Sequence, residues 1–349
     1  MTETDPLACG TTQVVVVTGA SSGIGRETAL LFAGRHARLS LGSRSEAALE
    51  LVADECRRAG AADVVVMSTD IAEAAQVQKL FDATLDRFGH IDVVAQCAAL
   101  TAFGRFGDLP IEVFDTVVRT NLIGAANVAR SALAHFQERG RGHLVLLGSL
   151  LGQAAMPYQS AYVVSKFGVH GMVRALRQEQ SHLPGVKVHG VYPGPVDTPM
   201  SGNAGNYFGH QAHVPPTAVG PVTVAAAIVR ATTRERSTER HVGWLNRPMV
   251  LAYRLIPSIF DAFAGRLTRA LVYRTVDRNR RRQYLEIDGR PTSAPVNRSQ
   301  PSATTVNPAR RMSRSDSEMR MLLTCNRIQP RWLKSLRTAM TVSLAKPIN

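Results

Sequence analysis

The sequence predicts an α/β protein built on a doubly wound parallel sheet, followed by a basic, largely disordered C-terminal extension. Three observations carry this. Strand-length apolar runs alternate with helix-period segments from residue 13 to about 245. A glycine-rich turn joins the first strand to the first helix. The charge is also unevenly spread. The net charge is +14, and residues 278–349 hold fifteen Lys/Arg against four Asp/Glu, a balance of +11 that leaves +3 for the rest.

The strand-like runs fall near 13–18, 37–42, 63–68, 91–96, 143–148 and 186–192. Helical patterns lie between or after them, near 23–34, 46–59, 72–89, 111–139 and 158–182. Regular alternation of this kind implies parallel strands covered by helices on both faces. Ligands of such sheets bind outside the carboxyl ends of the strands. The chain divides into an N-terminal extension (1–12), a core domain (13–245), an amphipathic helical segment (246–277) and a basic low-complexity tail (278–349).

The first strand, Gln13-Val-Val-Val-Val-Thr18, runs into Gly19-Ala-Ser-Ser-Gly23-Ile-Gly25 and then a helical pattern. Strand, glycine turn and helix in that order suit a nucleotide-binding βα unit. Gly19 permits a tight turn, Gly23 lets the backbone approach a pyrophosphate, and Gly25 lets the helix pack closely on the strand. The phosphates would then meet free N–H groups at the positive end of the helix dipole. Further along, Tyr162-Val-Val-Ser-Lys166 places a phenol and an ammonium four residues apart, on one face of a helix, with Ser149 upstream. A free tyrosine loses its proton near pH ~10. A neighbouring cation lowers that value toward a range useful for moving a proton at a carbon-bound oxygen.

The spacing Gly19-x-x-x-Gly23-x-Gly25, with Ser149 and Tyr162-x-x-x-Lys166, resembles the short-chain dehydrogenase/reductase family. Other matches follow in the family's order over residues 13 to about 245. The resemblance implies a Rossmann-like domain that binds a nicotinamide dinucleotide. Its phosphate loop would be Gly19, Ser21, Ser22, Gly23, Ile24 and Gly25, with Asp70 and Ile71 at the adenine and Ala98 beside the ribose. Pro193, Gly194, Val196 and Thr198 would close over the nicotinamide carboxamide. Ser149, Tyr162, Lys166 and Asn121 would form the catalytic set. Tyr162 would serve as general acid and base, and Ser149 would orient the substrate oxygen. Lys166 would hold the ribose and lower the pKa of Tyr162, and Asn121 would position a water leading to Lys166. One motif departs from the pattern: the usual Asn-Asn-Ala-Gly after the fourth strand is Gln96-Cys97-Ala98-Ala99, with Cys97 read as a small buried residue.

The end of the second strand selects among cofactors. An NAD-selective site carries an acid there, but this chain reads Gly42-Ser43-Arg44-Ser45. Arg44 is suited to a 2′-phosphate and Ser43 to a further hydrogen bond, so NADP(H) is favoured, with NAD(H) as the alternative. The substrate side is less specified. Residues 200–216 match the family's mobile substrate loop, and Leu150, Met156 and Tyr158 are expected at the mouth. His189, His210 and His213 form no metal-ligand pattern, and no metal is implied.

Residues 244–275 show a helical stripe from Ile256 through Ile259, Phe260, Phe263, Leu267 and Leu271, with arginines off it. Arg247, Arg254 and Asp261 interrupt the apolar run, which argues against a spanning helix. Such a helix could lie in a membrane interface, cover the substrate pocket, or pack on a partner subunit. In the tail, Arg278-Asn-Arg-Arg-Arg282 and the Pro/Ser/Thr-rich stretch from Pro291 read as disorder, with short helices near 319–323 and 332–344. The tail's charge suits an anionic lipid or polyanion, without the aromatic or zinc patterns of a specific nucleic-acid module. The four dispersed cysteines (Cys9, Cys56, Cys97, Cys325) fit a reducing compartment. The acidic start Met-Thr-Glu-Thr-Asp does not resemble a secretory signal. The expectation is a cytoplasmic enzyme, with or without attachment to a membrane surface, that interconverts a carbonyl and a secondary alcohol on an apolar or lipid-like small molecule as a homo-oligomer. A non-catalytic dinucleotide-binding protein on the same fold is the alternative, although such proteins typically lack Tyr162 or Lys166, and both are present.

Overall fold

The computed structural model describes residues 12–202, 204–207, 210–212, 215 and 217–275, with the pairs 286–287 and 290–291. The N-terminal extension up to residue 11, nearly all of the basic tail, and Cys9 and Cys325 therefore lie outside the described residues. Seven strands form one sheet: β1 (Val14–Thr18), β2 (Arg38–Ser43), β3 (Asp63–Ser68), β4 (Val93–Gln96), β5 (Gly142–Leu147), β6 (Val186–Pro193) and β7 (Glu239–Val242). Their order is β7-β6-β5-β4-β1-β2-β3, and every neighbouring pair is parallel. The strand order reverses between β1 and β4, which opens a crevice at their carboxyl ends.

The central strand shows why the sheet is buried on both faces. Val14 to Val17 are fully buried, with Val15 and Val17 in one core and Val16 in the other. That is the period-2 alternation of a strand, and a strand covered on both sides reads as a continuous apolar run. One core packs against α1 (Gly23–Ala33), α2 (Glu46–Arg58) and α7 (Pro221–Ala231), the other against α3 (Ala74–Phe88), α5 (Gly124–Arg139) and α6 (Ser160–Glu179). Helix α4 (Ile111–Val118) leads into α5 through a π turn at Arg119–Ile123. The helical run predicted over 111–139 is therefore continuous but carries one widened turn.

Two elements go beyond the sequence expectation, β7 and α7. The segment expected as one amphipathic stretch over 246–277 resolves into two helices, α8 (Asn246–Leu255) and α9 (Pro257–Val272), and the stripe from Ile259 to Leu271 falls on α9. Pro257 disfavours helical backbone at the residue before it, and Ile256 sits at φ −132°, ψ 55°. The expected stripe is also split between faces, since Phe260 is half-buried whereas Ile259 and Phe263 are exposed. After α9, Tyr273–Thr275 pairs antiparallel with His210–Ala212, so part of the segment matched to the substrate loop is tied to the chain beyond α9.

Candidate active site

The turn after β1 is built by close backbone approach. Gly19 has φ +69°, and a Cβ there would stand 2.6 Å from the backbone of Ala98. A Cβ on Gly25 would stand 2.1 Å from the Gly19 carbonyl oxygen, so α1 can begin against its own strand only with glycine at that position. Ser22, the N-cap of α1, makes no side-chain capping bond, and the first-turn amides of the helix face the crevice as an anion cradle.

A cavity of about 610 Å³ lies along the carboxyl ends of the strands. Its wall brings together Gly19, Ser21, Ser22, Gly23, Ile24, Gly25, Arg44, Asp70, Ile71 and Ala98 with Ser149, Tyr162, Lys166, Pro193, Gly194, Val196 and Thr198. Residues separated by nearly the whole domain thus share one surface. The size is that of a small-molecule site, and the glycine turn with its helix start fits a dinucleotide.

Tyr162 and Lys166 lie on α6, both buried. The Lys166 Nζ donates to the Leu147 carbonyl at 2.8 Å and stands 5.7 Å from the Tyr162 ring centre. Burial pulls the ammonium down to about 8, opposed only weakly by Cys97. Burial likewise pushes the Tyr162 phenol up, and a hydrogen bond with Ser149 pulls it back. The leading influence on the phenol in this state is therefore burial, not the downward pull expected from Lys166, whose ammonium is engaged with Leu147. The Ser149 Oγ accepts from the Leu151 N–H at 3.1 Å, which leaves its own proton for another acceptor.

Asn121 sits behind this wall, within the π turn, and does not line the cavity. Its Oδ1 accepts from Leu100 N–H at 2.7 Å, and its Nδ2 donates to the Leu100 carbonyl at 2.8 Å and to Ser165 Oγ at 3.0 Å. With the side chain so committed, a water leading to Lys166 would have to be held by backbone groups. π turns recur at functional sites, and this one clamps the loop after β4 to α6.

Other expected residues fall into place in different ways. The Asp70 Oδ1 accepts from Ala72 N–H at 2.9 Å, shaping the turn after β3. Arg44 is exposed at the end of β2, where its carbonyl accepts from Ser68 Oγ. Leu150 and Met156 line the cavity, but Tyr158 does not; it adopts φ +70°, and its carbonyl takes the Gly104 amide at 2.9 Å. Gln96 is buried and donates to the Ala98 carbonyl at 2.8 Å. Cys97, expected to be buried, is half-buried and lines the cavity; desolvation pushes its thiol up to about 12, which disfavours the reactive thiolate. Residues 244–275, for which covering the substrate pocket was one of three expectations, contribute the wall residues Trp244, Leu245, Asn246, Met249 and Thr268, none of which was singled out individually. They lie beyond the motifs, and the only hint was the apolar character of that stretch. Asn246 fastens them by donating to the carbonyls of Tyr192 and Val242, both at 3.0 Å.

A doubly wound sheet with this crevice and a buried Ser/Tyr/Lys group defines an oxidoreductase of the dinucleotide-binding class. The chain belongs to the short chain dehydrogenase family, whose sequence profile matches residues 13–206; its members bind a nicotinamide dinucleotide. The chain is 31% identical over 264 residues to an uncharacterized oxidoreductase, YxnA, of Bacillus subtilis, covering 75% of this chain and 72% of that protein. It is 34% identical over 220 residues to sepiapterin reductase of Chlorobaculum tepidum, covering 61% and 89%. Among solved structures, it is similar to an alcohol dehydrogenase from the archaeon Thermococcus sibiricus complexed with 5-hydroxy-NADP. That similarity has a TM-score of 0.60 at 28% identity and covers 68% of this chain and 98% of the other.

Proposed function

We propose that this enzyme interconverts a carbonyl and a secondary alcohol with NADP(H), on an apolar substrate, with Tyr162 as general acid and base. The observation that supports this most strongly is the convergence of Ser149, Tyr162 and Lys166 on the wall of the cavity that begins at the Gly19–Gly25 turn. When bound, the nicotinamide supplies or accepts the hydride.

The chain's own groups do the rest. The glycine turn and the first amides of α1 hold the pyrophosphate, Asp70 and Ile71 border the adenine, and Ala98 borders the ribose. Pro193, Gly194, Val196 and Thr198 close on the carboxamide. Ser149 donates its proton to the substrate oxygen, so developing negative charge meets a fixed donor. Tyr162 protonates that oxygen in the reductive direction and recovers its proton past Lys166. Asn121 positions these groups by joining Leu100 to Ser165. Leu150, Leu151, Met156, Trp244 and Met249 give the substrate end an apolar wall. Arg44 and Ser43, at a strand end where neither Gly42 nor Ser43 is acidic, favour a 2′-phosphate. Homo-oligomer formation on the long helices α5 and α6 belongs to the same reading.

Fluorescence titration of NADPH and NADH against wild type and Arg44→Ala tests the cofactor. Loss of a charge-assisted bond should weaken NADPH by roughly ten- to a hundredfold and leave NADH nearly unchanged. Tyr162→Phe should keep NADPH binding and lower ketone turnover by about 10²–10⁴-fold. Failure of both nucleotides to bind, or full turnover by Tyr162→Phe, would overturn the proposal.

A further inference from the structure

The segment from Trp244 through α9 is apolar on two sides. Inward, Val250, Met249 and Tyr253 of α8 and Phe260 of α9 pack on Leu150 and Ala154. Outward, Leu251 and Leu255 of α8 and Ile259 and Phe263 of α9 are exposed, with Ile256 between the helices and Trp244 at 76% exposure before them. Six of the twelve exposed large apolar side chains among the described residues fall within 244–263. An ordinary surface helix confines its apolar residues to the face it buries, so core packing accounts for the inner set only. The outer face is also cationic. Arg247, Leu251, Arg254 and Leu255 follow the i, i+4, i+7, i+8 spacing of one side of α8, and Ile259, Phe263 and Arg266 follow i, i+4, i+7 on α9. All three arginines are exposed.

We propose that the outer face of α8 and α9 docks on an anionic lipid bilayer, with both helices lying in the interface and the cavity opening beside the lipid. Charge selects the occupant. A second copy of this chain would set arginines against arginines. The tail carries +11, a charge of the same sign as this face, and an anionic surface complements both. A bilayer accommodates both features at once: apolar side chains enter the acyl boundary while arginine stems extend to the headgroups. No helix among the described residues is long and apolar enough to cross a membrane, so the contact is with the surface. Docking is independent of the reaction. Only the corollary, that an apolar carbonyl substrate enters from the lipid, rests on the function proposed above.

Vesicle flotation of the full chain tests this, with phosphatidylcholine alone and with phosphatidylserine added. Two variants are compared with wild type: Leu255→Ser/Ile259→Ser/Phe263→Ser and Arg247→Gln/Arg254→Gln/Arg266→Gln. Wild type should float with phosphatidylserine vesicles and much less with neutral ones. Each arginine removed should weaken binding roughly fivefold, so the triple change gives about a hundredfold. Each apolar residue removed should weaken it roughly tenfold. None of the six lines the cavity, so unchanged NADPH binding shows that both variants fold. Indifference of wild type to anionic vesicles, or flotation of the apolar variant at wild-type strength, would overturn the proposal. So would sedimentation velocity showing that the apolar variant dissolves an oligomer, which would make the face a contact between copies. A wild type that floats yet binds neither nucleotide would count against the proposed function alone.

Discussion

Replacing Lys166 with methionine should make the nucleotide-free protein more stable while abolishing its chemistry. Lys166 is 1% exposed, and burial holds its pKa at about 8 in place of 10.5. At 1.36 kcal/mol per pH unit, keeping the ammonium charged inside the fold costs about 3 kcal/mol at neutral pH. Methionine has a similar length and no charge. It forfeits the 2.8 Å bond from the ammonium to the Leu147 carbonyl, worth about 2 kcal/mol for a charged donor. The net expectation is a gain of about 1 kcal/mol. The pH dependence follows from the lowered folded-state pKa. Below about 8 both folded and unfolded wild type are protonated and the penalty is complete. Between about 8 and 10.5 the unfolded chain binds the extra proton, so wild type gains stability as pH rises. Above 10.5 the lysine is neutral in both states and the gap should have closed. Urea denaturation of both proteins across this range measures it, with other titrations cancelling in the difference. A variant no more stable than wild type at neutral pH, or an advantage that does not shrink on raising the pH, would refute the reasoning.

Three further expectations concern the frame around the site. Asn121→Ala should lower stability by about 2–4 kcal/mol in denaturant titration, because the Leu100 amide and carbonyl lose their shared partner. For Gly25→Ala, helix propensity alone would favour alanine by about 1 kcal/mol. The Cβ would nevertheless stand 2.1 Å from the Gly19 carbonyl, so the turn must shift, and NADPH affinity measured by fluorescence should fall at least about tenfold. The stacked pair His143 and His189, in contact at 3.2 Å, is held by burial well below the usual imidazole range. Both rings are neutral in the fold. Stability should be complete above pH ~6.5 and fall as pH drops through the folded values. His189→Asn should flatten that acid slope in urea midpoints.

Much of this architecture was legible because buried parallel strands are written as apolar runs. Val14 to Val17 could hardly be anything else, and the ordered motifs placed the cavity residues from Gly19 to Thr198 on one wall. β7 was not legible, because Glu239-Arg-His-Val242 has a single apolar residue. It is an edge strand whose Glu239 is held by Arg174, Arg177 and Tyr192, contacts that no local pattern announces. The π turn at Asn121 was equally hidden, since a single widened turn leaves residues 111–139 reading as one helical run. The division of the C-terminal stripe between two faces could not be read either. Periodicity reports that a helix has an apolar side, not whether a neighbour lies against it.

Asn246 separates two inheritances within one pocket. The groups proposed for chemistry all come from the first 198 residues, whereas Gly243 to Asn246, Met249 and Thr268 of the cavity wall come from beyond residue 240 and are fastened by that amide together with the packing of α8 and α9 on Leu150 and Ala154. A change of preferred substrate therefore need not pass through the reaction machinery. The C-terminal pair of helices can be exchanged, lengthened or re-angled at Ile256-Pro257, provided an asparagine remains at its root, while the sheet and its strand ends stay as they are. In the proposed site the reacting groups and part of the wall around them thus come from different stretches of the chain, and those stretches can diverge at different rates.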